Sequence, residues 1–330
     1  MRAEIVIVGF RNAGEIRDCL LALGESTFPD FGIHICENGG DPAYAALCET
    51  MAEIGTTLTE GDPGGRVTAR HCTTLAKGGQ RVWLHRAEGN LGYAAAINVC
   101  FEAIAEEDSY DFVWILNPDT VPEPEALTAL AAHQQAGGYG IVGSRLVLKG
   151  QNRIQLYGAR WRPWIARGYN IGLGEPADAT PDVAAIEHEM DYVAGAAMFV
   201  PRAFIEQVGG FDERYFLYYE ETDWCFRRGD FRLGYAHGAI VHHAHGSTIG
   251  SSVVKKTRSA LSVYLDERNK LLFMRRFWPG HYPVVVLTTL LLIGQYAKAG
   301  AWSNFRVALA GWWAGVRGET GVPDRFKPKG

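Results

Sequence analysis

The stretch Phe112-Val113-Trp114-Ile115-Leu116-Asn117-Pro118-Asp119 decides the fold of this chain. Its first five residues are uncharged and mostly β-branched or aromatic, which is typical of a strand buried on both faces of a parallel sheet. Pro118 has no amide hydrogen to give to a sheet ladder, so the strand is expected to end before it. In open α/β sheets the carboxyl ends of the strands line the ligand-binding crevice. We therefore predict that Asp119 faces a bound ligand.

Strands and helices alternate before this stretch, which predicts a right-handed, mostly parallel sheet flanked by helices. The predicted elements are strands at Ile5–Val8, Phe31–Cys36, Arg81–His85 and Gly140–Leu148, and helices at Ile16–Leu23, Ala43–Ile54, Gly92–Ala105, Glu125–Gln135 and Tyr264–Leu272. Between them, residues Gly55–Gly79 are expected to form a loop or flap, because they are rich in glycine. Residues Arg160–Pro181 are expected to be irregular, forming either an acceptor surface or a packed connecting loop.

Composition narrows the class of protein. The chain has 330 residues, and its 47% hydrophobic content is sufficient for a large core. Its formal charge of −5 provides no basic excess for nucleic-acid phosphates, so we expect no nucleic-acid partner. The six cysteines are widely spaced and the N-terminus has no signal-like apolar run, which together favour a cytoplasmic protein with reduced thiols.

A second acidic cluster occurs in Tyr219-Glu220-Glu221-Thr222-Asp223-Trp224-Cys225. A carboxylate near an acceptor hydroxyl can remove its proton, and neighbouring aromatic faces suit sugar rings. The simpler interpretation is the start of a solvated helix, in which acids favour the helix dipole and Asp223 pairs with Arg227.

Asp119 is the candidate metal ligand. Mg²⁺ and Mn²⁺ favour oxygen ligands and often bind through one or two carboxylates together with phosphates and water. The alternative is a simple turn, because Asn, Pro and Asp all favour turns. Three histidines, His242, His243 and His245, follow another predicted strand and provide further candidates.

Several motifs, taken in order, resemble family-2 glycosyltransferases of the GT-A type, and most of all the rhamnosyltransferase-like branch that builds bacterial surface polysaccharides. The resemblance covers roughly residues 3 to 276 and implies a GT-A-type, Rossmann-like sheet. The motifs are Ile5–Asn12, Cys36–Gly39, Asn90–Ala94, Asn117–Asp119, Gly209–Asp212, Glu220–Glu221 and His242–Ser247.

This resemblance implies a role for each matched residue. Glu221 would be the catalytic base, with Glu220 and Asp223 as rivals. Asp119 and His243 would hold Mg²⁺ or Mn²⁺, with His242 and His245 left open. Tyr219 and Trp224 would contact the acceptor. The implied donor-binding residues are Gly9, Asn12, Glu37, Asn38, Asn90, Gly92, Asn98, Asn117 and Arg268, with Asn269 beside the last of them.

The implied reaction is an inverting, metal-dependent transfer from a nucleoside-diphosphate sugar to a glycan or lipid-linked glycan. The donor would be dTDP-rhamnose or a UDP-sugar. A dinucleotide-dependent dehydrogenase is disfavoured because Gly9–Gly14 lacks the G-x-G-x-x-G fingerprint, and no P-loop motif is present. The remaining alternatives are a nucleotidyltransferase and a non-catalytic scaffold subunit that binds nucleotide sugars.

We predict a glycosyltransferase domain at 1–276, with a nucleotide-binding half at about 1–150 and an acceptor-binding half at about 151–276, followed by a helical extension at 277–330. Within the extension, Pro283–Gly294 is apolar but short of the ~20 residues that span a bilayer. Nearby tryptophans and basic residues suit a peripheral membrane contact on the inner face of the cell membrane. Packing on the core, or a homo-oligomer interface, is the alternative.

Overall fold

The computed structural model describes residues 1–244, 255–323 and 326. The strands in these ranges are β1 (Ala3–Gly9), β2 (Phe31–Glu37), β3 (Thr59–Gly61), β4 (Val67–Thr74), β5 (Arg81–Ala87), β6 (Phe112–Leu116), β7 (Thr120–Pro122), β8 (Ile141–Leu148), β9 (Arg153–Leu156), β10 (Gly158–Arg162), β11 (Arg167–Ile171), β12 (Ala197–Pro201) and β13 (Leu233–His243).

Helices flank these strands over the whole described chain. They are α1 (Ala13–Leu23), α2 (Asp41–Ile54), α3 (Tyr93–Glu107), α4 (Ala126–Gly137), α5 (Val183–Glu189), α6 (Arg202–Val208), α7 (Glu220–Phe226), α8 (Ala260–Phe277), α9 (Tyr282–Lys298) and α10 (Trp302–Arg317). The predicted α/β class, with a mostly parallel central sheet, is confirmed.

One large sheet organises the molecule, in the order β3-β4-β5-β2-β1-β6-β12-β8-β13-β7, with β9 added beside β8. Strands β5, β2, β1 and β6 run parallel, and β8 and β13 are also parallel to each other. All five residues of β6 are buried, as its sequence predicts. The carboxyl ends of β1, β2 and β6 therefore meet along one edge of the sheet.

Two core layers sandwich the sheet, because successive strand residues point to opposite faces. Ile5 and Ile7 of β1 pack with α1, α2 and α4 on one face. Val6 and Val8 pack with α3 on the other. Strand β6 divides in the same way, with Trp114 on the first face and Val113 on the second.

Two segments differ from the expectations. Gly55–Gly79 is not a loop, because it contains β3 and β4, which form an antiparallel hairpin that continues the sheet beyond β5. Its glycines lie mainly in the connections between strands. Arg160–Pro181 is likewise partly regular, since β10 and β11 pair as a separate two-stranded sheet. Both hairpins escaped prediction because their strands mix polar with apolar residues.

The C-terminal helices form a further packed layer. Helix α10 packs along α8, and α9 packs against both of them. No helix in the described ranges is long and apolar enough to cross a membrane. All six cysteines are free thiols.

Candidate functional site

The carboxylate of Glu37 lies at the ends of β1 and β2. Its Oε1 atom accepts hydrogen bonds from the backbone amides of Arg11 at 3.1 Å and Gly39 at 2.7 Å. Its Oε2 atom is buried without a hydrogen-bond partner among the described residues. Burial raises the pKa of this carboxyl, although the two backbone donors oppose the shift. A buried acceptor with spare capacity is suited to an N–H donor on a ligand.

Gly9 makes room for this carboxylate. A Cβ atom at position 9 would lie 2.4 Å from Glu37 Oε2, a distance that is too short for a Cβ–oxygen contact. Asn12, which directly precedes helix α1, accepts a hydrogen bond from the Phe10 amide at 3.0 Å and donates to Glu15 at 3.1 Å. Asn12 is thus placed beside Gly9, although these contacts alone are those of a local turn.

A second loop meets the same corner. The Asn38 side chain donates to the Gly92 carbonyl at 3.0 Å, and Asn90 accepts from the Gly92 amide at 3.1 Å. Gly92 itself has a φ of +85°, which an ordinary side chain rarely adopts. The predicted donor residues Gly9, Glu37, Asn38, Asn90 and Gly92 therefore lie along one continuous edge.

Asp119 and His243 lie side by side, as the metal hypothesis requires. His243 stands opposite Thr120 in the β13–β7 ladder, and the Ala244 amide donates to the Asp119 carbonyl at 3.1 Å. This pairing brings His243 Nε2 within 3.2 Å of Asp119 Oδ1. The other ring nitrogen, Nδ1, lies 2.8 Å from Gln155 Oε1. His242 instead faces Glu123, at 3.1 Å, while His245 lies outside the described residues.

The two side chains fit a divalent cation. Two ligands at right angles on an ion with bonds of about 2.1 Å lie about 3 Å apart, close to the observed separation. When Nδ1 donates to Gln155, Nε2 turns its lone pair towards Asp119, which is the form that binds a metal. No group of three or more His, Cys, Asp or Glu side chains that could hold a metal occurs among the described residues. Phosphate and water oxygens would have to complete the shell, as is usual for Mg²⁺.

Glu220 and Glu221 open helix α7 at the other side of this edge. Glu220 is almost fully buried, with Oε2 lacking a hydrogen-bond partner in the described part of the chain, whereas Glu221 is half-buried. Burial raises the pKa of both carboxyls, and for Glu220 the neighbouring Glu221 raises it further. The amides at the start of α7 oppose the shift. The pair therefore holds a proton to higher pH than ordinary glutamates do.

Tyr93 joins the two acidic groups. Its hydroxyl donates to Asn117 Oδ1 at 3.0 Å and lies 3.3 Å from the Gly195 carbonyl. Gly195 in turn packs on Glu221, since a Cβ there would lie 3.1 Å from Glu221 Cγ. Burial, then Glu220, Glu221 and Asp119, raise the pKa of the Tyr93 phenol well above its usual value. The Tyr93 hydroxyl therefore lies between Asn117 of the strand-end motif and Gly195, which packs on Glu221 of the acidic pair.

Asp223 does not have the position of a base. Its carboxylate is fully buried and accepts hydrogen bonds from Arg227 at 2.5 Å, Arg276 at 2.9 Å and the Tyr215 hydroxyl at 3.1 Å. Both of its oxygens are thus engaged by cations. Asp223 is therefore an ion-pair partner of Arg227, one turn further along α7, as the simpler interpretation of the sequence has it.

Three other predicted site residues contact protein groups instead of an open crevice. Trp224 is fully buried among Phe101, Phe204 and Phe211, so it has no surface for an acceptor. Arg268 is 1% exposed and donates to the Tyr215 and Gly321 carbonyls, which leaves it unsuited to a diphosphate. The half-buried Asn98 bonds both backbone groups of Phe211 and donates to Glu213. The assignments of Trp224 and Arg268 are corrected, because their burial depends on elements that pack from distant parts of the chain.

The half-buried Tyr219 lies among aromatic side chains. Its ring lies 6.0 Å from Trp161 of the β10–β11 hairpin, and Trp161 also contacts Tyr192 at 6.5 Å. Burial and then the charge of Glu221 raise the pKa of Tyr192. Sequence reasoning missed Tyr93 and Tyr192 as site residues. Tyr93 stands inside a quoted motif, whereas nothing near Tyr192 signals a site.

Comparison with known proteins gives a consistent result. Residues 5–262 match a family model described as glycosyltransferase-like family 2. A relative in Haloferax volcanii, the low-salt glycan biosynthesis hexosyltransferase Agl10, is 25% identical over 248 residues, covering 72% of this chain and 76% of the relative. An N-acetylglucosaminyl-diphospho-decaprenol L-rhamnosyltransferase of Mycobacterium tuberculosis is 30% identical over 184 residues, covering 48% of this chain and 58% of the relative.

Solved structures share the fold at low sequence identity. The mannosyltransferase PcManGT from Pyrobaculum calidifontis, in complex with GDP-Man and Mn²⁺, superposes with a TM-score of 0.52 at 11% identity, over 96% of this chain and 87% of its own. Residues 1–349 of S. aureus TarS, in complex with UDP-GlcNAc, superpose with a TM-score of 0.51 at 12% identity, over 97% and 93%.

Proposed function

Because the chain belongs to glycosyltransferase family 2, we propose that it moves a sugar from a nucleoside diphosphate to a hydroxyl of a glycan or lipid-linked glycan, with inversion at the anomeric carbon. The single observation that carries this proposal is the contact of Tyr93 with both Asn117 and Gly195. It brings the Asp119–His243 pair and the Glu220–Glu221 pair into one site. Such a site can hold a diphosphate at one end and accept a proton at the other.

Glu221 is the proposed base, because it is less buried than Glu220 and, unlike Asp223, has no ion pair with any residue that the structure describes. Its raised pKa makes it a stronger proton acceptor near neutral pH. As the acceptor oxygen bonds to the anomeric carbon, the bond to the diphosphate breaks. The hydroxyl proton passes to the Glu221 carboxylate and the nucleoside diphosphate leaves. One displacement of this kind inverts the anomeric configuration.

Glu221→Gln tests this assignment. It should lower kcat by ~10²–10⁴-fold while donor affinity, measured by calorimetry, is retained. Glu220→Gln is the matched variant and should retain more activity. A product of retained configuration by NMR would refute the single displacement. Full donor binding with no turnover in the wild type would instead favour a non-catalytic scaffold.

Asp119 and His243 are the proposed ligands of Mg²⁺ or Mn²⁺. When bound, the ion would offset the charge that develops on the departing diphosphate. The mannosyltransferase of similar fold was solved with Mn²⁺ and GDP-Man, which supports a metal in this fold. Asp119→Ala should abolish Mn²⁺-dependent nucleotide binding in calorimetry, whereas His242→Ala should not, since His242 faces Glu123. Unchanged metal dependence in Asp119→Ala would overturn the assignment.

A rhamnose donor, dTDP-rhamnose, is our preferred substrate, with a UDP-sugar as the alternative. The rhamnosyltransferase named among the relatives supports the first choice. A thermal-shift screen of nucleotide sugars with Mn²⁺ decides between them, because a ligand that binds only the folded state raises the Tm. A shift with GDP-mannose alone would contradict both choices.

The C-terminal helices provide the proposed site of membrane contact, at the cytoplasmic face where a lipid-linked acceptor would lie. Val284, Leu287 and Leu291 form an exposed apolar stripe along α9, with Leu291 79% exposed. Trp302 and Trp313 of α10 are also exposed, and α10 carries Arg306 and Arg317. Aromatic and basic residues beside an apolar stripe are typical of an interfacial surface. Trp312, in contrast, donates to the Val286 carbonyl and packs inward.

Flotation with anionic vesicles tests this surface. The double variant Leu287→Ser with Leu291→Ser should lose vesicle binding, whereas Leu173→Ser, which replaces a leucine of similar exposure far along the chain, should not. Equal flotation of the wild type and both variants would remove the membrane role and favour a homo-oligomer interface.

The proposed boundary between the glycosyltransferase domain and the helical extension lies at residue 276, which falls at the end of α8.

A further inference from the structure

Residues 215–219, which we call the acid-pair loop, lead directly into Glu220 and Glu221. Three of them have left-handed backbone conformations, with φ of 67° at Phe216, 69° at Tyr218 and 77° at Tyr219. Bulky non-glycine residues rarely adopt such angles. Strained conformations of this kind persist only where surrounding contacts hold them.

The side-chain amide of Asn269 on helix α8 holds this loop from one side. It donates to the carbonyls of Tyr215 at 3.0 Å, Leu217 at 2.8 Å and Tyr218 at 2.9 Å. The Asn269 side chain is fully buried. One amide thus fixes three carbonyls within four consecutive residues, which is more than ordinary helix packing requires.

Arg268 braces the amide. Its Nε atom donates to Asn269 Oδ1 at 2.9 Å, which orients the amide hydrogens towards the loop. A terminal nitrogen of the guanidinium donates to the Tyr215 carbonyl, also at 2.9 Å. Arg268 therefore contacts the loop both directly and through Asn269.

The donor-binding edge holds the loop from the other side. The Tyr93 amide donates to the Phe216 carbonyl at 2.8 Å. Gly92 fits against the same carbonyl, since a Cβ there would lie 2.4 Å from the Phe216 oxygen. The acid-pair loop is consequently clamped between α8 and the strand-end loop that carries Gly92.

Resting on the function proposed above, we propose that Asn269 is a positioning residue which, braced by Arg268, holds the acid-pair loop in its strained form and so fixes the place and burial of the Glu220 and Glu221 carboxyls. It acts through the loop and contacts neither substrate. Without its three hydrogen bonds the loop relaxes towards ordinary backbone angles. The carboxyls then become more hydrated, which lowers their raised pKa values.

Kinetics of Asn269→Ala test the inference. We expect kcat to fall by about 10–100-fold, because a displacement near 1 Å at the reacting groups has an effect of this size. Donor affinity should change less than about threefold, and the acid limb of the kcat–pH profile should move to lower pH. Asn269→Leu has a similar volume but neither amide hydrogens nor a new charge, so it should behave in the same way. Arg268→Lys should give a smaller effect.

Asn304→Ala is the matched control. Asn304 is a buried amide on α10 that donates to the Lys255 and Arg258 carbonyls at 2.8 and 2.9 Å, outside the acid-pair loop. Loss of the two Asn304 hydrogen bonds should lower the Tm without moving the acid limb of the kcat–pH profile. If Asn269→Ala and Asn304→Ala affect kcat and its pH profile equally, Asn269 has only a structural role and the inference is wrong.

A second measurement separates this inference from the function. The carboxyl carbons of Glu220 and Glu221 can be titrated by NMR in labelled protein without any substrate, using Glu220→Gln and Glu221→Gln for assignment. Asn269→Ala should lower their apparent pKa values relative to the wild type, because it removes the amide hydrogen bonds without adding a charge. If the wild type transfers no sugar, the proposed function fails while this shift is still observed. Identical titrations in the wild type and Asn269→Ala overturn the positioning role.

Discussion

The absence of a side chain at Gly9 determines where the Glu37 carboxylate lies in the candidate site. The hydrogen of Gly9 leaves the space that Glu37 Oε2 occupies. Sequence could place Gly9, Glu37 and Asp119 at strand ends, because strand ends can be recognised from apolar runs. It misplaced Trp224 and Arg268, whose burial depends on helices that pack from distant parts of the chain.

Gly9→Ala should displace the Glu37 carboxylate. We expect nucleotide affinity to fall by about ten- to a hundredfold, the range for a hydrogen bond to a charged group. Gly14→Ala is the control, because a Cβ at position 14 has nothing within 4 Å and alanine favours a helix. Calorimetry on both variants measures the difference. Equal affinities would mean that Glu37 does not contact the nucleotide.

Glu220→Gln should stabilise the fold at neutral pH. The folded-state pKa of Glu220 is raised, so the native state binds more protons than the unfolded state above pH about 4.5, and stability falls as pH rises through this window. A neutral amide removes that penalty. The Tm should rise by about 2 °C for each kcal/mol relieved, and the gain should vanish at acid pH. A Tm below that of the wild type at pH 7 would contradict this expectation.

The buried ion pairs of Asp223 join helix α7 to helix α8. The Asp223 carboxylate contacts Arg227 on its own helix and Arg276 near the end of α8, and Arg276 also contacts Asp212. Strong apolar runs made the main strands and helices predictable. The hairpins β3–β4 and β10–β11 could not be predicted, because their stability depends on neighbouring strands and helices rather than on their own sequences.

Asp223→Asn should therefore destabilise the protein without removing the base. This substitution weakens the charged hydrogen bonds of both arginines and is expected to lower the free energy of unfolding by about 1–3 kcal/mol. The loss is limited because Arg276 keeps Asp212, Arg227 keeps two backbone carbonyls, and burial raises the pKa of the Asp223 carboxyl despite these cations. Urea denaturation measures this loss, and kcat per folded molecule should remain near that of the wild type. Loss of kcat with full stability would return Asp223 to the list of candidate bases.

The whole molecule contains a buried polar chain inside its central sheet, across β1, β2 and β5. His34 Nδ1 lies 3.1 Å from His85 Nε2, and His34 Nε2 lies 3.5 Å from Glu4. Burial, then His34 and Arg70, lower the pKa of His85 well below its usual value. The folded protein consequently keeps His85 neutral at pH values where an unfolded chain would protonate it.

The contribution of His85 should therefore lower stability as pH drops below about 6.5, opposite in sign to that of Glu220, because at this group the unfolded state then binds a proton that the folded state does not. The slope is about 1.4 kcal/mol per pH unit for one such group. His85→Gln should flatten this slope in urea denaturation between pH 7 and pH 5, whereas exchange of the exposed His188 for Gln should leave it unchanged. An unaltered slope in His85→Gln would show that other groups set the acid sensitivity.

Both ends of the strand order in the large sheet are strands of only three residues, β3 and β7. One carries the exposed Glu60, and the other ends at Pro122. Short edge strands with a charge or a proline give an incoming chain too few free backbone groups for cross-chain β-pairing. These two edges thus resist polymerisation of neighbouring molecules through continuous sheets. Self-association of this protein through the large sheet is therefore disfavoured, whereas the exposed apolar stripe of α9 has no such protection.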